Sequence, residues 1–216
     1  MKCNEIFYDV ETQNDFMNLG APLYAPGVEI IKPNLALLTN FAKESRKMKV
    51  GGADTHFGTS EYAFREIELQ INGGPFPMHC KKGTYGAEKI KETLFETVRH
   101  PHFLDEKVDY EIIKKGLTIG GLIFEKQTYN VFTNPAVKGF LDYAEVKKAV
   151  VYGVLTDWCV KDAVLGLQEN GVQTYVVTDA IYALNLQQGE GEKALEEMIN
   201  AGARLVTTKE VLEGKI

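Results

Sequence analysis

Cys159 sits in the run Gly153-Val-Leu-Thr-Asp-Trp-Cys159-Val160, where β-branched apolar residues give way to a helix-like stretch. A thiol in the first turn of a helix meets the partial positive charge and free N–H groups of that helix end. Such a place lowers a thiol pKa from about 8.5 and supplies donors to an oxyanion. The chemistry on offer is nucleophilic attack on a carbonyl; the bland alternative is a buried structural cysteine. Lys126 closes another apolar run, Ile123-Phe-Glu-Lys126. An ammonium beside a thiol favours thiolate, and a carboxylate beside the ammonium holds it in place. Asp9 and Glu11 lie two residues apart, so a strand over them points both carboxylates to one face. Asp54 and His56 are also two apart, and His79 lies downstream. One carboxylate with two imidazoles suits a divalent ion (zinc, iron or manganese), with coordination positions left for water and substrate. His100 and His102 read as surface residues, Asp179 as a structural cap, and Asn14 and Asp15 as organisers of the loop after the first strand.

These groups can act together only if the fold brings them to one place. Short β-branched and aromatic runs alternate with helix-like stretches, which predicts strands over 6–10, 49–53, 121–124, 149–154, 173–178 and 204–207. Helices are expected over 33–48, with Leu35, Leu37, Leu38, Phe41 and Ala42 as its apolar stripe, and over 87–98, 157–170 and 190–201. Residues 57–85, rich in Gly, Pro and aromatics, read as a long ordered loop excursion, and 110–114 as an extra strand. The pattern specifies an α/β fold: three α/β/α layers, a doubly wound, mostly parallel sheet, and a single domain over 1–216. In such sheets the site lies at the carboxyl ends of the strands. Asp9 and Glu11, Asp54 and His56, Lys126 and Cys159 all fall at those ends.

Bulk properties narrow the function further. Across 216 residues the net charge is −6 and no long basic run occurs, which argues against nucleic acid or an anionic membrane as partner. Cys3, Cys80 and Cys159 are an odd number with no CxxC pair, which argues against a disulfide framework and a thiolate zinc site. No apolar stretch approaches the roughly 20 residues of a membrane span, and acidic residues interrupt the first apolar run. The expectation is a cytoplasmic protein with reduced thiols.

Four motifs in fixed order make the chain resemble the isochorismatase-like cysteine hydrolase family and, within it, the nicotinamidase (pyrazinamidase) branch. They are Glu11-Thr-Gln13-Asn-Asp-Phe16; Asp54-Thr-His56 with Phe76-Pro-Met-His79-Cys-Lys-Lys-Gly83-Thr-Tyr-Gly86-Ala; Lys126-Gln-Thr-Tyr129-Asn-Val-Phe132; and the stretch around Cys159. The resemblance implies a metal-dependent amidohydrolase that converts nicotinamide to nicotinate and ammonia, or else acts on another small amide such as a carbamoyl or ureido compound. A non-catalytic metal-binding relative is the remaining alternative. It implies Cys159 as nucleophile, Glu11 as general base and acid with Lys126, and the backbone N–H groups of Leu155 and Cys159 as oxyanion hole, next to a cis Val154–Leu155 bond. It further implies one divalent ion, zinc foremost, on Asp54, His56 and His79, there to orient the substrate ring. Phe16, Phe76, Tyr129 and Trp158 become the aromatic wall, and a homo-oligomer is expected. Three features depart from the family pattern. The family acid is Asp where this chain has Glu11, with Asp9 as the other carboxylate on offer; Lys126 lies close to Tyr129; and residues 99–120 read as an insertion.

Overall fold

In the computed structural model, which describes residues 2–216, seven strands form one parallel sheet. They are β1 (Glu5–Val10), β2 (Met48–Asp54), β3 (Val98–His100), β4 (Gly121–Lys126), β5 (Lys148–Val154), β6 (Gln173–Tyr182) and β7 (Arg204–Val206). Their order is β3-β4-β2-β1-β5-β6-β7, with every neighbouring pair parallel. The central strands are buried on both faces, which is why β5 carries the continuous apolar run Ala149 to Val154 instead of an alternating one.

Among the described residues seven α-helices cover the sheet: α1 (Asn14–Met17), α2 (Lys32–Glu44), α3 (Tyr110–Ile119), α4 (Pro135–Ala144), α5 (Lys161–Glu169), α6 (Glu190–Asn200) and α7 (Thr208–Leu212). Alternation along β1 sends Phe7 to one core and Tyr8 to the other. The first core takes Leu35, Leu38 and Ala42 of α2 with Val211 of α7. The second takes Ile113 of α3, Phe140 of α4, Val164 of α5 and Met198 of α6. Each fully buried Leu, such as Leu35 or Leu38, stabilises by about 1.5–3 kcal/mol. The expected stripe of α2 holds except at Leu37, which is exposed.

Three expectations fail locally. The helix over 87–98 is replaced by a 3-10 turn, Lys91–Thr93, and by β3. The segment is drawn into extended contacts with the loop after β1: Gln13 bridges Lys89, and the Ile90 amide donates to the Thr12 carbonyl at 2.9 Å. The extra strand over 110–114 is instead the start of α3. Asp109 caps that helix by accepting from the Glu111 and Ile112 amides, and Gly120 ends it in the left-handed conformation. His100 and His102 are buried, not surface residues. His100 Nδ1 lies 2.8 Å from the Pro101 carbonyl, and its Nε2 accepts from the Asp109 amide. Asp179 does act structurally, accepting from the amide and hydroxyl of Thr208 at the start of α7. Among the described residues no helix is long and apolar enough to cross a membrane.

Candidate active site

Four adjacent strands, β4, β2, β1 and β5, deliver the reactive residues to one edge. Lys126 is the last residue of β4 and pairs in register with Asp54, the last residue of β2. Glu11 follows β1, and Cys159 lies in a π turn, Thr156–Val160, that leads from β5 into α5. The Leu155 carbonyl accepts from the amides of Trp158 and Val160, which ties that turn to the strand end. The Val154–Leu155 peptide bond is cis, as the motif implied. Gly153 lets β5 press against β1: a Cβ there would lie 2.0 Å from the Val10 carbonyl oxygen, so no other residue fits.

The strand-alternation argument for Asp9 and Glu11 breaks at Glu11, whose φ is +49°. That left-handed turn separates the two carboxylates. Asp9 points to Lys89, 2.9 Å away. Glu11 points to the reactive cluster: its Oε2 accepts from the Asp54 amide at 2.5 Å, and its Oε1 lies 3.5 Å from Lys126 Nζ. Lys126 Nζ also donates to Asp54 Oδ1 and approaches Cys159 Sγ at 3.6 Å. Glu11, Lys126 and Cys159 are all buried. Asn14 and Asp15 tie the loop down as expected, Asn14 through the Tyr85 and Glu88 carbonyls and Asp15 through the Cys80 amide.

Burial dominates the electrostatics. It pushes the Cys159 thiol up, and Asp54, Glu11 and Glu68 add to the rise; the Lys126 ammonium opposes it and does not win. Burial therefore outweighs the lowering that the helix end was expected to give the thiol. Burial likewise raises Glu11 to about 7 against the pull of Lys126. Burial alone would lower Lys126, but Asp54, Cys159 and Glu11 hold it well above its ordinary value. Burial thus favours the protonated thiol, neighbouring anions favour the ammonium, and the Glu11 carboxyl sits near neutrality, the range suited to a general base.

Beside this trio lies a second cluster. Asp54, His56, His79 and Glu68 bring one ligand atom each to within 4.8 Å of one another, and all four are buried. His56 Nε2 is 2.9 Å from Glu68 Oε1, and His79 Nε2 is 3.4 Å from that oxygen and 3.6 Å from Asp54 Oδ2. Glu68 is the residue that sequence reasoning missed; it sits in the 57–85 excursion with no motif spacing to flag it.

These side chains fit a divalent ion. His79 Nδ1 is committed to the Pro77 carbonyl at 2.8 Å, which leaves its Nε2 facing the cluster, buried and without a hydrogen-bond partner. His56 Nδ1 faces Glu66 at 3.6 Å, the carboxylate backing common for a ligand imidazole. Burial would lower His79, yet Asp54 and Glu68 draw it up, a sign of the negative field the two carboxylates set at this point. Two carboxylates and two imidazoles match zinc, iron or manganese. Asp54 joins the two clusters, with Oδ1 to Lys126 and Oδ2 toward His79. Aromatic rings stand alongside: Phe76 packs edge-on to Trp158 at 5.2 Å and to Tyr129 at 6.0 Å, and Phe16 meets His79 at 5.4 Å.

Comparison with known proteins gives this arrangement a context. The isochorismatase domain model matches residues 9–210. The nicotinamidase of Escherichia coli K12 is 29% identical over 213 residues, covering 92% of each chain. The nicotinamidase of Acinetobacter baylyi is 26% identical over 171 residues, 74% of this chain and 69% of that one. The crystal structure of Pyrococcus horikoshii pyrazinamidase in complex with zinc superposes with a TM-score of 0.73 at 25% identity, over 94% of this chain and 99% of that one. With a family match that spans nearly the whole chain, on the fold and strand-end arrangement described above, the chain belongs to the isochorismatase family.

Proposed function

We propose that this enzyme hydrolyses nicotinamide to nicotinate and ammonia, with one divalent ion, zinc, held by Asp54, His56, Glu68 and His79. It is an amidohydrolase that cleaves a C–N amide bond. The observation that supports the finer reading is Asp54, which links the Glu11–Lys126–Cys159 trio to a buried four-ligand cluster beside an aromatic wall. When bound, the ion supplies a Lewis acid for the ring nitrogen of a flat heteroaromatic substrate. Phe16, Phe76, Tyr129 and Trp158 flank such a ring.

The chain's own residues perform the chemistry. Glu11 Oε1, buried and without a hydrogen-bond partner, takes the thiol proton as Cys159 Sγ attacks the amide carbon. Lys126 stabilises the developing thiolate and fixes Asp54. Backbone N–H groups of Leu155 and Cys159 receive the oxyanion. Glu11 then returns the proton to the leaving nitrogen; the C–N bond breaks, ammonia departs and a thioester remains. Water, deprotonated by Glu11, attacks the thioester, the C–S bond breaks, and the acid and free thiol are restored. A homo-oligomer acting in the cytoplasm belongs to the same reading. Cys159→Ala should abolish ammonia release; a variant within tenfold of wild type would sink the assignment.

A further inference from the structure

Asp9, the carboxylate two residues before Glu11, does not enter the reacting cluster. It is fully buried and pairs with a buried ammonium, Lys89 Nζ, at 2.9 Å. Both converge on Thr12, the residue after Glu11. The Thr12 hydroxyl donates to Asp9 Oδ1 at 2.8 Å, accepts from Lys89 Nζ at 3.0 Å, and meets the Thr93 hydroxyl at 2.6 Å. The one hydroxyl thereby ties the Asp9–Lys89 pair to Thr93. Backbone contacts repeat the clamp on either side: the Ile90 amide donates to the Thr12 carbonyl and the Asn14 amide to the Glu88 carbonyl, each at 2.9 Å.

Replacing a buried ion pair by well-packed apolar residues is often neutral or stabilising, so stability alone does not account for this one. Glu11 supplies the reason. As a base it must keep Oε1 open toward Cys159: Oε1 has no hydrogen-bond partner and only a 3.5 Å ion contact with Lys126 Nζ, while Oε2 accepts from the Asp54 amide. With φ at +49°, the backbone of Glu11 also sits where a non-glycine residue needs support from its surroundings. The carboxylate must therefore be aimed from behind.

We propose that Asp9, Lys89 and Thr12 are positioning residues that lock the left-handed turn at Glu11 and so fix the reach of its free oxygen to Cys159. The proposal rests on Glu11 being the base. The test is the full-length protein carrying Asp9→Leu with Lys89→Met, a volume-matched apolar replacement, beside Thr12→Val and Glu11→Gln. Steady-state ammonia release should show kcat down roughly 10- to 100-fold with KM within about twofold. Melting temperature and bound zinc should stay near wild type. Alkylation of Cys159 by iodoacetamide, followed by mass spectrometry, should slow in parallel, and it needs no assumption about substrate. If the double variant does not fold, Thr12→Val decides. Wild-type kcat and alkylation rates in the folded variants, with Glu11→Gln slow, would overturn the proposal. An unaffected Glu11→Gln would instead overturn the assignment of Glu11 itself.

Discussion

Gly52 offers a sharp perturbation of the site. It lies on β2 opposite Val10, and a Cβ added there would stand 2.6 Å from Glu11 Oε1. Ordinary contact begins near 3.4 Å, so Gly52→Ala displaces that oxygen by about 0.8 Å. Misplacement of a catalytic group by about 1 Å costs up to ~100-fold in rate. The expected loss is roughly 30-fold in kcat, about 2 kcal/mol of barrier. The fold should not suffer, because Gly to Ala within a strand recovers about 0.5–1 kcal/mol of backbone entropy. Shortening the acid removes the collision. Gly52→Ala should therefore lower kcat by less than about twofold in a Glu11→Asp background, although Glu11→Asp is itself impaired. Ammonia release in the four members of this cycle, with thermal melts, checks the reasoning. Equal Gly52→Ala penalties in both backgrounds, or more than half of wild-type kcat in the single variant, would refute it.

Further outcomes follow from the same geometry. Glu68→Gln should weaken zinc binding at least about tenfold in competition with a chromogenic chelator, and wild-type affinity would remove Glu68 from the ligand set. Lys126→Met leaves Asp54 and Glu11 buried without their cation, so a loss of about 3–5 kcal/mol in denaturant unfolding should accompany loss of turnover. Chelation should lower the melting temperature, and added zinc should restore it, rising with the logarithm of free zinc above Kd. His102 is held down to about 4, by burial first and then by Arg65, whereas an unfolded chain's imidazole titrates near 6.5. Stability from this neutral ring is whole above about 6.5 and lost as pH falls toward 4. Melting curves of His102→Gln should therefore decline less between pH 7 and pH 5 than those of wild type; an equal decline contradicts the sign.

What the sequence made legible was whatever local pattern could carry. Buried parallel strands advertise themselves as apolar runs, so β5 and the positions of Cys159 and Lys126 at strand ends followed directly. Asp54, His56 and His79 stood out by residue type, and the structure gathers them. Glu68 did not, because an irregular loop has no period from which a ligand can be read. Residues 87–98 have helix-forming side chains, yet Lys89 and Thr93 are buried against the loop after β1, and tertiary pairing overrides propensity. The alternation that placed Asp9 and Glu11 on one face assumes an unbroken strand, and a single left-handed residue invalidates it. The thiol pKa failed for a related reason: depth of burial is a property of the assembled fold and outweighs the helix-end field.

The most direct measurement is ammonia release from nicotinamide by the purified protein, before chelation, after it, and after return of zinc, manganese or iron. The account predicts turnover that disappears on chelation and returns with metal, and that Cys159→Ala never shows. Absence of turnover with every metal, from protein that is folded and binds the ion at Asp54, His56, Glu68 and His79, would contradict it.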